Sequence, residues 1–342
     1  MGKRIELRDE RRITSLKVSF CRPTWSPDGR LALEAEGRLG GIYLVDGKGR
    51  IEGRIGDGAE PSFSPDGEHL AFTRSEKDGR RSIWVCRLDA PEEARRLAGG
   101  QGAVWEHPAW SPDGRMVACV SDYGNSGGLR QVWALDAQYG DRRRVTCDPQ
   151  RNDGHPSWSP DGRMVAFDGD DRADDAREVD VYVIDLQTGA ITRLSDGTVA
   201  TRRPRFVDRR CLIAERRSAE GPALVVLDRA KKRMYPVETA GSGDREPVVR
   251  LSPRRRHLQL AFVRRDDKEG RDAVWIAELR GLKVTDEAEA KKAEAAAKER
   301  QQLAAGLPVL PAPPPGATPP LPAGEDPNDR DDEPDEGESA LG

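Results

Sequence analysis

Pro23-Thr24-Trp25-Ser26-Pro27-Asp28-Gly29-Arg30 decides the fold, because it returns. Related stretches run from Pro61 to Gly67, Pro108 to Arg115 and Pro156 to Arg163, with leading prolines 38, 47 and 48 residues apart. A fifth copy, Pro204-Arg205-Phe206-Val207-Asp208, follows after another 48 residues, and Leu251-Ser252-Pro253-Arg254 stands where a sixth is due. Both late copies lack the Asp-Gly pair. Ser at i, Pro at i+1 and Gly at i+3 favour a type I β-turn, and Asp accepts local backbone bonds, so the motif reads as a hairpin turn.

Each turn is followed by a short apolar strand: Leu31 to Leu33, Leu70 to Phe72, Met116 to Val120, Met164 to Phe167, Leu212 to Ala214 and Leu258 to Val263. A polar loop and a second apolar strand come next, such as Ile42 to Val45 or Val181 to Ile184. A closing turn and strand, such as Leu186 to Gly189 and Ile191 to Leu194, complete four strands per repeat, the content of one propeller blade. The sequence therefore predicts an all-β fold, a six-bladed β-propeller of four-stranded blades over 1–284. Blades are expected near 17–57, 58–100, 104–148, 152–197, 200–240 and 245–284, with 4–16 closing the last. Six of the seven tryptophans fall at two repeat positions (Trp25, Trp110, Trp158; Trp84, Trp133, Trp275), which predicts packing of blade on blade.

Composition agrees. The 342 residues are 34% charged and only 5% aromatic, so burial must be spread over thin layers. A net charge of -4 argues against a surface tuned throughout for nucleic acid or anionic membrane. No apolar run follows Lys3 and Arg4, and no run of apolar residues is long enough to span a bilayer. The cytoplasm is the expected location, with the periplasm the alternative if the true start lies upstream. Cys21, Cys86, Cys119, Cys147 and Cys211 have no C-x-x-C spacing and are expected to be reduced thiols buried in strands.

The Ser-Pro-Asp-Gly-Arg core, recurring in register across 4–284, resembles the repeats of the TolB-type β-propeller family, which are seen also in relatives of prolyl oligopeptidase. The resemblance implies a closed ring whose N-terminal segment supplies the outermost strand of the last blade. Glu10 to Leu16 reads like such a strand and is expected to meet Gly281 to Val284. The exported TolB type adds an export signal and an N-terminal domain; neither is seen here, so only the propeller carries over.

The residue before each leading proline is Arg22, Glu60, His107, His155 or Arg203. Equivalent positions of a propeller ring its channel near one mouth, so these five are the candidate binding residues. Glu60, His107 and His155 would be neighbours on consecutive blades, and two imidazoles with a carboxylate suit a divalent metal. The other reading is a wet channel in which each His pairs with Glu or backbone. The resemblance extends to oligogalacturonate lyases, which hold a catalytic metal on histidines of such a propeller. No cofactor is expected, with a divalent metal in the channel as the alternative. Gly124-Asn125-Ser126-Gly127-Gly128 matches G-x-S-x-G but lies in a polar loop, not at a strand-to-helix elbow, so no nucleophile is expected there. Asp168 to Asp175 lacks the spacing and terminal Glu of a calcium loop and reads as a solvated acidic turn.

Residues 201–284 carry 22 Lys or Arg against 12 acidic residues. Arg202, Arg205, Arg209, Arg210, Arg254, Arg255 and Arg256 form a candidate basic face. It lacks interleaved aromatics or a known motif, so nucleic acid is not the expected partner. Residues 285–305 are strong helix formers with few large apolar side chains, and an exposed helix is expected. Residues 306–342 are Pro-rich and then acidic, with nine acidic residues and one Arg from Glu325 to Glu338, and disorder is expected. The reading is a monomeric, non-catalytic propeller scaffold for a protein or peptide partner. A metal-dependent lyase or hydrolase at the channel mouth is the alternative, and polyanion binding by the basic face the second.

Overall fold

The motif turns form as their residue types require. Gly29, Gly67, Gly114 and Gly162 donate to the carbonyls of Ser26, Ser64, Ser111 and Ser159 at 2.9 to 3.1 Å. Their φ values, 69° to 101°, favour glycine. Each Ser hydroxyl donates to the motif Asp, and accepts an N–H from Arg30, His69, Met116 or Met164 at 2.9 to 3.0 Å.

The computed structural model describes residues 4–14, 18–100, 102–125, 127–171, 179–219, 221–251 and 257–282. After β1 (Ile5–Arg12) come four separate four-stranded antiparallel sheets. The first holds β2 (Phe20–Trp25), β3 (Leu31–Ala35), β4 (Gly41–Val45) and β5 (Ile51–Ile55). The second holds β6 (Ala59–Phe63), β7 (His69–Ser75), β8 (Arg81–Arg87) and β9 (Ala90–Ala98). β10 (Trp105–Trp110), β11 (Met116–Ser121), β12 (Gln131–Asp136) and β13 (Arg142–Arg144) form the third. β14 (Arg151–Trp158), β15 (Met164–Asp171), β16 (Val179–Asp185) and β17 (Ile191–Arg193) form the fourth. The remaining strands are β18 (Thr201–Phe206), β19 (Cys211–Ser218), β20 (Gly221–Asp228), β21 (Arg233–Glu238), β22 (Arg245–Leu251), β23 (Leu258–Asp266) and β24 (Arg271–Arg280). With β1 they make one eight-stranded sheet, ordered β18-β19-β20-β21-β1-β24-β23-β22.

The fold is all-β in a propeller arrangement, but the expected six separate blades become four separate sheets and one of eight strands. The physical reason is β1, which is hydrogen-bonded along both edges. It runs antiparallel to β24, as at Leu7↔Leu279 and Arg12↔Trp275, and parallel to β21 at Ile5↔Val237 and Glu6↔Glu238. This strand also starts at Ile5, not Glu10, and lies beside Trp275 to Arg280 instead of Gly281 to Val284.

Apolar clusters form between successive sheets. Ala32, Ile42 and Ile55 of the first pack with Phe63, Leu70 and Phe72 of the second, while Leu31, Leu33 and Tyr43 pack with Val263, Val274 and Ile276 of the last. Burial of each such side chain contributes about 1.5–3 kcal/mol, so every sheet is stabilised chiefly by its neighbours. The motif tryptophans add bonds across the same seams: Trp25 Nε1 donates to the Val248 carbonyl at 3.3 Å and Trp158 Nε1 to that of Ala109 at 3.0 Å. Trp84, Trp133 and Trp275 lie under the guanidinium groups of Arg74, Arg144 and Arg264. Cys21, Cys86, Cys119 and Cys211 are buried free thiols, but Cys147 is exposed in the link to β14, against the expectation that all five would be buried in strands. No helix among the described residues is long and apolar enough to cross a membrane. The expected helix and tail over 285–342, together with Arg254, Arg255, Arg256 and Ser126, lie outside the described residues.

Candidate functional site at the channel mouth

Every innermost strand breaks register at the same repeat position. The breaks fall between Cys21 and Thr24, Ala59 and Ser62, Glu106 and Ala109, Gly154 and Ser157, Arg202 and Arg205, and Arg245 and Val248. Each holds a proline preceded by a left-handed residue: Arg22, Glu60, His107, His155, Arg203 and Glu246, with φ from 43° to 55°. Proline has no N–H for the ladder and is tolerated at such a bulge. A left-handed non-glycine residue costs about 1–3 kcal/mol, so the surroundings must hold all six in place.

These six residues line one cavity of about 50 Å³, together with Pro23, Pro61, Pro108, Pro156, Pro247, Arg205 and Val248. The five ring residues read from the sequence are thus brought together. Glu246 was missed, because the sixth repeat was aligned on Ser252-Pro253. The available signal was Pro247, 43 residues after Pro204 and preceded, like the others, by a polar residue with a titratable side chain.

A second set stands behind the ring. Opposite the residue that precedes each ring member is Glu34, Thr73, Val120, Asp168, Glu215 or Val263. Basic or imidazole ring residues are backed by an acid in three repeats (Arg22/Glu34, His155/Asp168, Arg203/Glu215). Acidic ring residues are backed by a neutral side chain (Glu60/Thr73, Glu246/Val263). At these two positions five repeats therefore carry one carboxylate each, and the third, with His107 and Val120, has none; its buried Glu106, one residue before the ring, pairs with Arg81 and Arg130. Each carboxylate accepts the ring N–H of the next repeat. Glu34 takes that of Glu60 at 2.8 Å, Glu60 that of His107 at 2.8 Å, Asp168 that of Arg203 at 2.7 Å, Glu215 that of Glu246 at 3.4 Å, and Glu246 that of Arg22 at 2.6 Å. Charge-assisted bonds of this kind are about twice as strong as neutral ones, and here they offset the backbone strain from sheet to sheet.

The remaining oxygens are also engaged. Glu34 pairs with Arg22 at 2.6 Å; Glu60 with Arg81 at 3.2 Å, His107 Nε2 at 3.2 Å and the Thr73 hydroxyl at 2.8 Å. Glu215 and Glu246 hold Arg203 at 3.2 and 3.3 Å, and Asp168 holds His155 Nδ1 at 2.9 Å. Burial alone would raise the Glu60 carboxyl, but His107 and Arg22 override it and keep it well below the usual carboxylate range. Asp168 is likewise lowered despite burial, by His155 and the Arg203 N–H. For His155 burial prevails over Asp168 and brings the imidazole down to about 4. His107 and His155 stack with centroids 4.0 Å apart and planes at 27°.

Asp168 corrects the sequence reading: it belongs to β15, buried against His155, and is not part of a solvated turn. Glu60 and His107 are in contact, but Glu60, His107 and His155 do not bring three ligand atoms all within 4.8 Å of one another; among the described residues that convergence occurs at Asp66, Glu68 and His69. Glu60 and Asp168 are each already bonded to an imidazole, Glu60 to His107 and Asp168 to His155. The basic residues are dispersed: Arg209 pairs with Asp161 and Arg210 with Asp228, while Arg205 lines the channel.

Among solved structures, TolB from Acinetobacter baumannii superposes with a TM-score of 0.58 at 23% identity, over 68% of this chain and 58% of that one. The fold is that of the TolB propellers. The putative TolB of Agrobacterium tumefaciens agrees, at a TM-score of 0.55, 15% identity, and 81% and 99% coverage. The same propeller fold occurs in oligogalacturonate lyase from Vibrio parahaemolyticus, at 0.51, 11% identity, and 81% and 97% coverage. Of curated relatives, the Tol-Pal system protein TolB of Alcanivorax borkumensis is 38% identical over 82 residues, 21% of this chain. The uncharacterized peptidase YuxL of Bacillus subtilis is 31% identical over 102 residues, 26% of this chain. The chain spans only 18% and 14% of the lengths of these two relatives. No protein-family model matches the chain.

Proposed function

We propose that this TolB-type propeller is a non-catalytic scaffold that receives a protein or peptide segment at its channel mouth. In this reading the eight-stranded sheet counts as two blades, and six repeats of a single chain each give one residue to the mouth. The observation that carries it is the engagement of the wall. Both oxygens of each wall carboxylate already have partners, so a ligand meets hydrogen-bond donors, apolar proline faces and the imidazoles of His107 and His155 in place of free carboxylates.

Affinity purification from the native cell with wild type and Val248→Trp tests this, since Val248 lines the cavity and an indole there fills it. Partners held by wild type and lost with the variant, at an unchanged melting temperature, are expected. Equal capture by both moves binding away from the channel. The second reading, a metal-dependent enzyme at Glu60, His107 and His155, is favoured by the stacked imidazoles. Stoichiometric metal in protein purified without chelator, lost in His107→Ala and His155→Ala, would replace the binding reading.

A further inference from the structure

We propose that the group seated in the channel mouth is a carboxylate of the inserted peptide segment, bound by the guanidinium of Arg205. This rests on the binding reading and names what enters.

Arg205 follows Pro204, at a repeat position held elsewhere by Thr24, Ser62, Ala109, Ser157 and Val248. Five repeats thus carry a short side chain at this position and one a long cation; of the six, only Arg205 and Val248 line the channel. The other guanidinium groups of the lining are paired, Arg22 with Glu34 and Arg203 with Glu215 and Glu246. Arg205 has a single bond, from Nη1 to its neighbour's Pro204 carbonyl at 3.1 Å, and no acidic partner among the described residues. A guanidinium has five N–H donors in a planar fork that matches a carboxylate, so four are left to a ligand. Burial and the nearby Arg203 bring Arg205 down to about 10, against the opposing pull of Asp168 and Glu246, neither of which is in hydrogen-bond contact with it.

The wall cannot supply that partner, because its carboxylates are spent on the latches. The third unit has no acid at the ring or backing position, its Glu106 being held by Arg81 and Arg130, and His107 Nδ1 is buried without a partner. The collar of five prolines and Val248 suits the carbon chain behind that group. The carboxylate has two possible sources, a peptide C-terminus or an acidic side chain.

Three octapeptide libraries offered to the immobilised full chain separate these sources. One has free C-terminal acids and no Asp or Glu; one has amidated ends with Asp and Glu; one is amidated and lacks both. Enrichment from the first assigns the chain end and from the second the side chain, with none from the third. Retained peptides should bind Arg205→Gln about 10- to 100-fold more weakly, with a smaller loss for Arg205→Lys. Melting temperatures should match wild type, because no protein carboxylate loses a partner. Peptides taken equally from the third library, or held equally by Arg205→Gln, yet excluded by Val248→Trp, overturn the carboxylate and leave the binding reading standing. Failure of every library to exceed the Val248→Trp background overturns both.

Discussion

Glu60 gathers more of the mouth than any other ring residue, through the His107 N–H and imidazole, the Thr73 hydroxyl and Arg81. Removing one member of a buried pair typically costs about 3–5 kcal/mol, so Glu60→Gln should lower the free energy of unfolding by about 3 kcal/mol in a urea titration. A loss below about 1 kcal/mol would show that the latches contribute little to stability. Two further residues give pH dependences of opposite sign. His155 titrates near 4 when folded against about 6.5 unfolded, so between those values only the unfolded chain takes the proton. Its contribution to stability is lost as pH falls from 6.5 to 4, by up to about 1.4 kcal/mol per unit. Asp153 is raised by burial, against the pull of Arg151, to about 6. Its folded form keeps a proton that the unfolded form releases above about 3.9, so its contribution is lost as pH rises through 6. The stability of His155→Gln relative to wild type should therefore improve toward pH 4, and that of Asp153→Asn toward pH 6.5. Denaturant midpoints measured across pH 4–7 check both, and parallel curves for the three proteins would refute the assignments.

Among the elements, β1 joins the strands on its two sides into one sheet. It buries Ile5 and Leu7, and its Glu10 accepts from Arg264 at 2.8 Å and from the Ala240 N–H at 2.8 Å. Deleting residues 1–12 exposes the edges of β21 and β24 and should lower the melting temperature by about 10 °C or more. Unchanged melting in calorimetry would rule out β1 as the closure. What could be read from the sequence at this scale follows from locality. The turn motif and the apolar strands after it are specified by neighbouring residues, and they fall where expected. The parallel pairing of β1 with β21 depends on residues far apart in sequence and left no local mark. Glu246 was hidden by two extra residues between Pro247 and the following Ser-Pro. Asp168 was hidden by the acidic run that follows it, which made a buried strand end look like the start of a loop.

In the molecule as a whole, one pattern joins fold to site. The bulge that places a ring side chain at the mouth also frees its N–H, and the preceding repeat's carboxylate takes it. The mouth is thus built from the same bonds that tie sheet to sheet, which is why its acids are unavailable to a ligand and Arg205 is the odd member. Ring position could be inferred from repeat arithmetic alone, and all five expected residues meet there. The alternation of acids between ring and backing positions emerges only when the cross-strand pairs are known.

The double pairing of β1 also has a consequence in time. Its parallel partner begins pairing at Val237 and its antiparallel one at Trp275, while β1 itself ends at Arg12. At a synthesis rate of about 5–20 residues per second, the strand made first waits about 10–50 s for the strands made last. Throughout that interval both of its edges are open to any other unpaired strand. A ribosome-bound chain is thus most exposed to mispairing while its later repeats are still being made, and the emergence of β24 is the event that lets β1 pair along both edges.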